Sequence, residues 1–155
     1  MDANLVLLAY SVVAMFRPLI PLFLLIAAPS VWTQSTWFVP DDFSTIQGAI
    51  DGSSNGDTVI VRDGAWSENI NFRGKGITLR SENGPTTTVI DGGGLESVVR
   101  FLSGEGPGSV LEGFTLTNGY SAKGGGALFF SSSPVVVDCV FRGNSATYGG
   151  GVATE

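Results

Sequence analysis

The segment from Ser109 to Ala153 contains one pattern twice, at an offset of about 25 residues. Residues 109–119 read SVLEGFTLTNG, and residues 134–144 read PVVVDCVFRGN. The same offset matches the glycines at 124–126 with those at 149–151. A fixed period of this length is typical of a solenoid, in which each repeat stacks only on its neighbours. Short runs of Val, Phe, Thr and Leu between Gly, Ser and Asn indicate strands rather than helices.

Three apolar positions recur in the two copies, and their spacing indicates how one repeat is bent. The offset pairs Leu111 with Val136, Phe114 with Cys139, and Leu116 with Phe141. Successive side chains of a strand point to opposite faces, so residues 111 and 114 of one straight strand would point in opposite directions. For both to face the interior, the chain must bend between two short strands. One such winding exposes both its edges and needs neighbours on each side. The sequence therefore predicts an all-β fold, a right-handed parallel β-helix with like residues stacked in one interior.

A short helix is predicted before the first strand. Ser44-Thr-Ile-Gln47 has the form of a capping box, which marks a helix start. Ile46, Ala49 and Ile50 then fall on one face, and Asp51-Gly52 ends the helix. Such a helix would cover the open end of the solenoid, as terminal repeats require. Further strands are predicted at 58–61, 68–72, 77–80, 88–90 and 97–101, with corner loops of uneven length between them.

The first 30 residues predict export from the cell. Residues 19–28 form the apolar region of a signal peptide, and small residues at 28–30 offer a cleavage site. Met15, which is followed by Phe-Arg-Pro, gives a better basic start than Met1-Asp2 and is an alternative true start. An uncleaved membrane anchor is the other interpretation, because residues 5–28 are long enough to span a bilayer. We predict a signal peptide at 1–30, a β-helix domain at 31–155, and a secreted or cell-surface location.

Charge and composition exclude several classes of function. The formal net charge of −6 argues against binding to nucleic acid. The chain contains no histidine, which excludes Ser-His-Asp and Cys-His catalysis and every histidine-ligated metal site. The single cysteine, Cys139, aligns with Phe114, so we interpret it as a small buried hydrophobic residue. A reactive thiol is the alternative.

Charged residues of the repeat are the first candidates for chemistry. Asp138 and Arg142 lie four residues apart in the last pair of strands, and Glu112 lies near Asp138 in the repeat alignment. Two carboxylates stacked on adjacent windings would be about 4.8 Å apart, close enough to bind Ca²⁺. The offset pairs Glu112 with Val137, however, so the two acids are diagonal neighbours, and we interpret them as solvated corner charges. We therefore assign no catalytic, cofactor-binding or metal-binding residue, and Ca²⁺ stays an open alternative.

Other polar and aromatic residues sit beside turns. Asp91, in Asp-Gly-Gly-Gly, is interpreted as a turn residue. Trp66 and Tyr148 could each stack on a sugar ring or simply cover a corner of the fold. Asn118 and Asn144 are expected to hydrogen-bond the backbone at corners.

Several of these segments resemble known families. Residues 42–50, 56–61 and 64–70 resemble the opening of the pectin-lyase-like superfamily, and the Gly-x-aromatic-x-Glu run at 64–68 resembles pectinesterases. Gly-Gly-Ala at 125–127 and Phe141-x-x-Asn144 resemble the short repeats of polymorphic outer-membrane proteins. The resemblance, which covers residues 37–155, implies the β-helix fold. It also implies a link to enzymes that act on acidic polysaccharides with paired Asp and an Arg.

The catalytic motifs of the resembled enzymes are absent from this chain. The pectinesterase motifs Gln-Asp-Thr-Leu, Asp-Phe-Ile-Phe-Gly and Leu-Gly-Arg-Pro-Trp do not occur in it. Residues 149–155 begin a strand with no cap after it, so we expect either a C-terminally truncated fragment or self-association through the uncapped winding. The leading hypothesis is a non-enzymatic surface or secreted module for adhesion or carbohydrate contact, with a polysaccharide or a host or cell surface as partner. The alternatives are the N-terminal part of a polysaccharide-active enzyme and a structural spacer.

Overall fold

Residues 33–155, which the computed structural model describes, form a parallel β-helix. The chain begins with β1 (Thr36–Val39) and α1 (Ile46–Gly52). The first winding contains β2 (Thr58–Val61), β3 (Gly64–Ser67) and β4 (Ile70–Asn71), and the second contains β5 (Thr78–Ser81), β6 (Thr88–Asp91) and β7 (Val99–Phe101). The third contains β8 (Val110–Glu112), β9 (Thr115–Thr117), β10 (Tyr120–Lys123) and β11 (Ala127–Phe129). The last contains β12 (Val135–Val137), β13 (Val140–Arg142), β14 (Ser145–Tyr148) and β15 (Val152–Thr154).

Three long sheets run the length of the solenoid, and every strand pairing in the described chain is parallel. The first sheet has the order β1-β2-β5-β8-β12, the second β13-β9-β6-β3, and the third β15-β11-β7-β4. Strands β10 and β14 form a small two-stranded sheet between the second and third. Each sheet takes one strand from each successive winding. This confirms the predicted parallel β-helix.

The predicted signal peptide, residues 1–30, lies outside the described residues. Within residues 33–155, no helix is both long enough and apolar enough to cross a membrane.

The predicted stacking of the two repeats is confirmed. Leu111 pairs with Val136 on adjacent strands, and Leu116 pairs with Phe141. Phe114 is fully buried, and Cys139 packs against the same core. The inward residues of the first sheet form a continuous column, namely Val59, Leu79, Leu111 and Val136. Full burial of each such side chain contributes about 1.5–3 kcal/mol.

Aromatic residues continue the core beneath the third sheet. The ring centroids of Phe72 and Phe101 are 4.4 Å apart, and those of Phe101 and Phe129 are 5.2 Å apart. Phe72 and Phe101 are completely buried, whereas Phe129 is only half-buried. Aromatic pairs in such tilted and edge-to-face arrangements add to the free energy gained from burial alone.

The N-terminal helix covers the first winding as predicted, but its capping residue differs. Ile46, Ala49 and Ile50 are buried. Thr45, rather than Ser44, is the N-cap, and its hydroxyl accepts a hydrogen bond from the Gly48 amide at 3.0 Å. The predicted capping box is therefore wrong, because Gln47 turns to Asn71 instead and exchanges two hydrogen bonds with its backbone.

Both ends of α1 are held by residues of the first winding. The carboxylate of Glu68 accepts hydrogen bonds from the amides of Ile46 and Gln47, each at 2.9 Å. The ammonium group of Lys75 donates to three carbonyl oxygens at the other end of the helix, those of Ile50, Asp51 and Ser53. A negative charge at the start and a positive charge at the end both complement the helix dipole. Glu68 closes the Gly-x-aromatic-x-Glu run, so in this chain that glutamate holds the cap.

The predicted uneven windings are also observed, and a buried glutamate fastens the longest loop. Thr78 pairs with Val110 after a long winding, which contains β6, β7 and the long loop at 102–109, whereas Val110 pairs with Val135 after a shorter winding. Glu105, in that long loop, is 1% exposed. Its carboxylate accepts hydrogen bonds from the amides of Gly74 and Ser103 and from the Ser132 hydroxyl. It thereby joins three successive corners of the solenoid.

The glycines at 124–126 stack on those at 149–151 with their backbones in contact. The amides of Gly125 and Gly126 donate to the carbonyls of Gly149 and Gly150. A Cβ atom at Gly126 would lie 2.5 Å from the Gly151 carbonyl oxygen, which leaves no room for a side chain. The repeated glycine run is therefore required for the tight corner between β10 and β11.

Candidate functional site

A shallow groove of about 550 Å³ lies between the second sheet and the strands β10 and β14. We call it the Tyr120 groove. Its side chains are Ser67, Asp91, Asn118, Tyr120 and Ser145, and glycines form the rest of the wall. The groove therefore combines one aromatic ring with a carboxylate, an amide and two hydroxyl groups.

The strand register brings the polar residues of the groove to one edge of the second sheet. Ser67 pairs with Asp91 across adjacent windings, and both end their strands. Asn118 has a φ of 54°, in the left-handed region that Asn tolerates better than most residues. Its Nδ2 donates to Asp91 Oδ2 at 2.9 Å, while Asp91 Oδ1 accepts from the Gly93 amide at 2.9 Å.

These bonds confirm one prediction and correct another. Asp91 is a turn residue as expected, because it holds the backbone of Gly93. Asn118 was expected to hydrogen-bond backbone, but its side-chain amide bonds the Asp91 carboxylate instead. A carboxylate can accept about four hydrogen bonds. Asp91 therefore keeps acceptor capacity for a ligand.

Tyr120 supplies the aromatic surface of the groove. It is 61% exposed, and its neighbour across the small sheet is Ser145. A flat aromatic face beside hydroxyl, amide and carboxylate groups suits a sugar, which presents C–H groups on one face and hydroxyl groups at its rim. Nothing in the sequence pattern distinguished Tyr120, because it lies in none of the repeated apolar positions.

The amide of Asn144 fixes the wall of the groove. Its Oδ1 accepts from the Gly119 amide at 2.8 Å, and its Nδ2 donates to the Leu116 carbonyl at 2.9 Å. This confirms the expected corner role of Asn144. The two bonds tie the last winding to the third, directly beside Tyr120.

A second hollow, of about 460 Å³, lies at the far end of β10 and β14. Lys123, Tyr148, Thr154 and Glu155 line it, and Lys123 forms an ion pair with Glu155. Tyr148 is 67% exposed and pairs with Lys123 in the small sheet. We call this region the Tyr148 hollow.

The two aromatic residues that the sequence left ambiguous differ in the structure. Trp66 belongs to the inward column of the second sheet, where it pairs with Ile90 and packs against the core. Its Nε1 donates to the Arg62 carbonyl at 3.1 Å, so it covers a corner. Tyr148 remains exposed and is free to contact a ligand.

The candidate carboxylates of the repeat share a different cleft on the first sheet. Glu112 and Asp138 line it together with Arg80, and its volume is about 150 Å³. The sequence pattern missed Arg80, which the strand register places opposite Glu112. Arg142 was grouped with these acids, but it lies on the second sheet, where it pairs with Thr117. The predicted diagonal proximity of Glu112 and Asp138 is therefore confirmed, and Arg142, the third candidate, lies outside their cleft.

The buried carboxylates have structural partners. Asp57 accepts hydrogen bonds from the amides of Ser54 and Ser35 and from Trp37 Nε1, and the backbone bonds hold its pKa below the usual value. Burial by itself raises the pKa of the Glu105 carboxyl. The hydrogen bonds that Glu105 accepts, led by the Ser103 amide, outweigh burial and lower its pKa. Neither residue recurs in the repeat, so no sequence pattern marked either role.

Two observations on the described residues bear on the metal and thiol alternatives. Within residues 33–155, no group of three or more Cys, Asp or Glu side chains is placed to hold a metal ion. Ca²⁺ also binds backbone and amide oxygens, so the Ca²⁺ alternative stays a prediction. Cys139 is half-buried, and burial raises the pKa of its thiol. This favours the interpretation of Cys139 as a packing residue.

Comparisons with known protein families, with curated proteins and with solved structures gave no significant match to this chain.

Proposed function

We propose that this chain is a secreted or cell-surface β-helix module that contacts carbohydrate without cleaving it, and that the contact is made in the Tyr120 groove. The observation that carries the proposal is the exposed ring of Tyr120 beside Asp91 and Asn118. The hydrogen bond between Asp91 and Asn118 orders both polar groups before a ligand arrives. Such preorganisation reduces the entropy that binding must offset.

The shape of the groove sets the expected strength of binding. A shallow groove buries only part of a small sugar, so each sugar unit gains little free energy. We expect a dissociation constant on the order of 1 mM for a short oligosaccharide. Binding of this strength suits repeated contact with a polymer or a surface rather than capture of one small molecule.

Export and family membership belong to the same proposal. The apolar segment at 19–28 supports a cleaved signal peptide, with Met15 as the alternative start. The runs at 56–61 and 64–68 support a place in the pectin-lyase-like superfamily. Within that superfamily, the missing catalytic motifs favour a binding module over an enzyme.

The test is a titration of the ¹⁵N-labelled protein with neutral trisaccharides, namely cellotriose, xylotriose and mannotriose, followed by NMR. At least one should shift the amide signals of residues 91–94 and 117–120. Tyr120→Ala should weaken that binding about tenfold, because the aromatic surface is lost. Phe130→Ala is the matched control, since Phe130 is an exposed aromatic residue, 48% exposed, that does not line the groove. Equal binding by wild type and Tyr120→Ala would contradict the proposal.

A second candidate function is a polysaccharide-active enzyme, and the cleft on the first sheet favours it. Arg80 lines that cleft with three acidic residues, Glu82, Glu112 and Asp138, of which Glu82 is already paired with Arg62. Paired carboxylates beside an arginine resemble the set that the superfamily's enzymes use. We expect no activity from the chain as it stands. Measured cleavage or de-esterification of polygalacturonate or pectin, with or without Ca²⁺, that is lost in Glu112→Gln would establish the enzyme instead.

A further inference from the structure

The Tyr120 groove runs along the axis of the solenoid rather than across it. Every winding contributes lining side chains, which from the first winding to the last are Ser67, Asp91, Asn118 with Tyr120, and Ser145. A groove across the axis would be lined by one or two windings only. The Tyr120 groove is therefore one continuous surface, on which a linear molecule can lie parallel to the axis.

The strand register makes this surface straight. Ser67 pairs with Asp91, and Asp91 pairs with Thr117, on successive strands of the second sheet. Each of the three follows a residue that packs in the core, so alternation points all three outward on the same face of the sheet. Adjacent strands lie about 4.8 Å apart, so Ser67 and Thr117 are about 10 Å apart along the axis. Tyr120 lies in the same winding as Thr117 and is therefore two windings away from Ser67.

The spacing of the windings matches a sugar chain with an extended backbone. Each unit of a β-1,4-linked chain advances about 5 Å, and each winding advances about 4.8 Å. Successive sugars can therefore meet equivalent positions of successive windings. An α-1,4-linked glucan curves, so only a short part of it could remain in a straight groove.

We propose that the Tyr120 groove binds a neutral, β-1,4-linked polysaccharide parallel to the solenoid axis, with about one sugar unit for each winding. We call this the axial site. The inference rests on the proposed function of the groove and adds the direction, the linkage and the charge of the ligand. The central sugar contacts Tyr120 and the ordered pair of Asp91 and Asn118. The outer sugars extend to the hydroxyl groups of Ser67 and Ser145, which can donate to sugar hydroxyls or accept from them.

The charges around the groove favour an uncharged ligand. Asp91 is the only charged side chain among the described residues that line the groove. Arg142 pairs with Thr117 on the second sheet but does not line the groove. A chain of uronic acids would place one carboxylate at each winding, including one beside Asp91, and like charges at that distance repel. A polymer of neutral hexoses or pentoses meets no such repulsion.

Contact with several windings makes the affinity depend on chain length. A disaccharide covers about two windings, whereas a tetrasaccharide covers about four. Each further unit makes its contacts intramolecularly, because the units before it are already bound. A tetrasaccharide should therefore bind about tenfold more tightly than a disaccharide. A hexasaccharide is longer than the groove and should gain only about a further twofold.

The experiment is a titration of the ¹⁵N-labelled protein, followed by NMR, with the di-, tetra- and hexasaccharides of β-1,4-linked glucose, xylose and mannose. At least one series should show a gain of about tenfold from disaccharide to tetrasaccharide. The tetrasaccharide should shift amide signals in all four windings, at residues 67–68, 91–94, 118–120 and 143–145. Maltohexaose and hexagalacturonate test the linkage and the charge, and each should bind about tenfold more weakly than the best β-1,4-linked hexasaccharide.

A matched pair of variants on β3 tests the direction of the ligand. Ser67→Ile places a bulky side chain at the first-winding end of the groove. It should weaken tetrasaccharide binding about fivefold and leave disaccharide binding unchanged, since a disaccharide can still occupy the windings around Tyr120. Ala65→Ile is the control, because Ala65 is exposed on the same face of the same strand but does not line the groove. The control should bind every ligand as the wild type does.

The outcomes separate this inference from the proposed function. Disaccharide binding that depends on Tyr120, with no gain for longer chains and no effect of Ser67→Ile, would overturn the axial site and leave the proposed function standing. Wild-type shifts confined to residues 91–94 and 117–120 at every chain length would do the same, even if Ser67→Ile did not fold. Failure of every ligand to bind would overturn both. Tighter binding of maltohexaose or hexagalacturonate than of every β-1,4-linked hexasaccharide would overturn the assigned linkage or charge.

Discussion

The third and last windings have the same pattern of residues but different environments. Leu111 and Leu116 are completely buried, whereas Val136 and Phe141, the residues stacked on them, are only half-buried. The third winding has a neighbour on both sides, and the last has one neighbour in the described chain. The comparison shows that the repeat determines which side chains point inward. Burial itself depends on the adjacent winding.

The largest expected effect is on the free energy of unfolding. Truncation of a leucine between two windings should cost more than truncation of a larger phenylalanine in the last winding. Leu116→Ala should lower the free energy of unfolding by about 2–5 kcal/mol, because it leaves a cavity between two windings. Phe141→Ala removes a larger side chain but should lower it by less than about 2 kcal/mol, since Phe141 is half-buried and the space opens to solvent. Urea unfolding followed by circular dichroism measures both. An equal or larger loss for Phe141→Ala would mean that the last winding is covered in solution.

The glycine corner offers a second matched pair. A Cβ atom at Gly126 would lie 2.5 Å from the Gly151 carbonyl oxygen, whereas at Gly151 the nearest atom is 3.8 Å away. Gly126→Ala should therefore destabilise the fold by about 1–3 kcal/mol through overpacking, and Gly151→Ala should change stability by less than about 0.5 kcal/mol. Thermal unfolding of the two variants gives the comparison. Similar melting temperatures would show that the corner can relax, contrary to the contact that the structure displays.

The buried glutamate that joins the corners should produce a pH-dependent difference. Glu105→Gln replaces an oxygen acceptor by a donor that faces the amide of Gly74 or Ser103, and should cost about 1–2 kcal/mol at pH 7. The folded-state pKa of Glu105 is lowered, so its charge stabilises the fold above the unfolded-state pKa. That contribution is lost as the pH falls through the folded-state pKa.

The measurement is the free energy of unfolding of wild type and Glu105→Gln between pH 7 and the acid range. The difference should be largest near neutral pH and should shrink in acid. Glu112→Gln, on the outer face of β8, is the control and should show a smaller difference throughout. A difference in unfolding free energy between wild type and Glu105→Gln that does not change with pH would contradict stabilisation by the charged form of Glu105.

The smallest effect concerns local opening of the strands. The amides of β12 and β13 have one adjacent winding, whereas those of β8 and β9 have two. We expect hydrogen exchange to be faster in the last winding, because its edge opens without unfolding of the rest. Equal protection of the two windings, together with a dimer in sedimentation equilibrium, would support the proposed self-association through this edge.

The fold could be predicted where the repeat was regular, and the site could not. The pairing of Leu116 with Phe141 follows from a fixed offset, so the register of the last two windings was available from the sequence. The pairing of Thr78 with Val110 follows a winding that ends in a loop, residues 102–109, whose length no repeat specifies. Glu105 lies in that loop, and a buried glutamate has the same local sequence signal as an exposed one.

The candidate site could not be predicted, because the exposure of an aromatic side chain depends on contacts between windings as well as on the alternation of residues along its own strand. Trp66 and Tyr148 both sit beside glycine turns, yet the strand register packs Trp66 half-buried against the core and leaves Tyr148 in solvent. Tyr120 follows Gly119, whose backbone packs so closely on Gly125 that a side chain there would collide with the Gly125 carbonyl. Such contacts between windings are invisible in a single repeat.

The contacts that hold α1 have a consequence for the order in which parts of the protein can fold during synthesis. The helix receives its N-terminal partner from Glu68 and its C-terminal partner from Lys75, both of which follow it in the chain. During synthesis the helix therefore cannot be fastened until residue 75 has left the ribosome, and its short length gives it little stability before then. We therefore expect the cap and the first winding to form together, and the later windings to add to them in chain order.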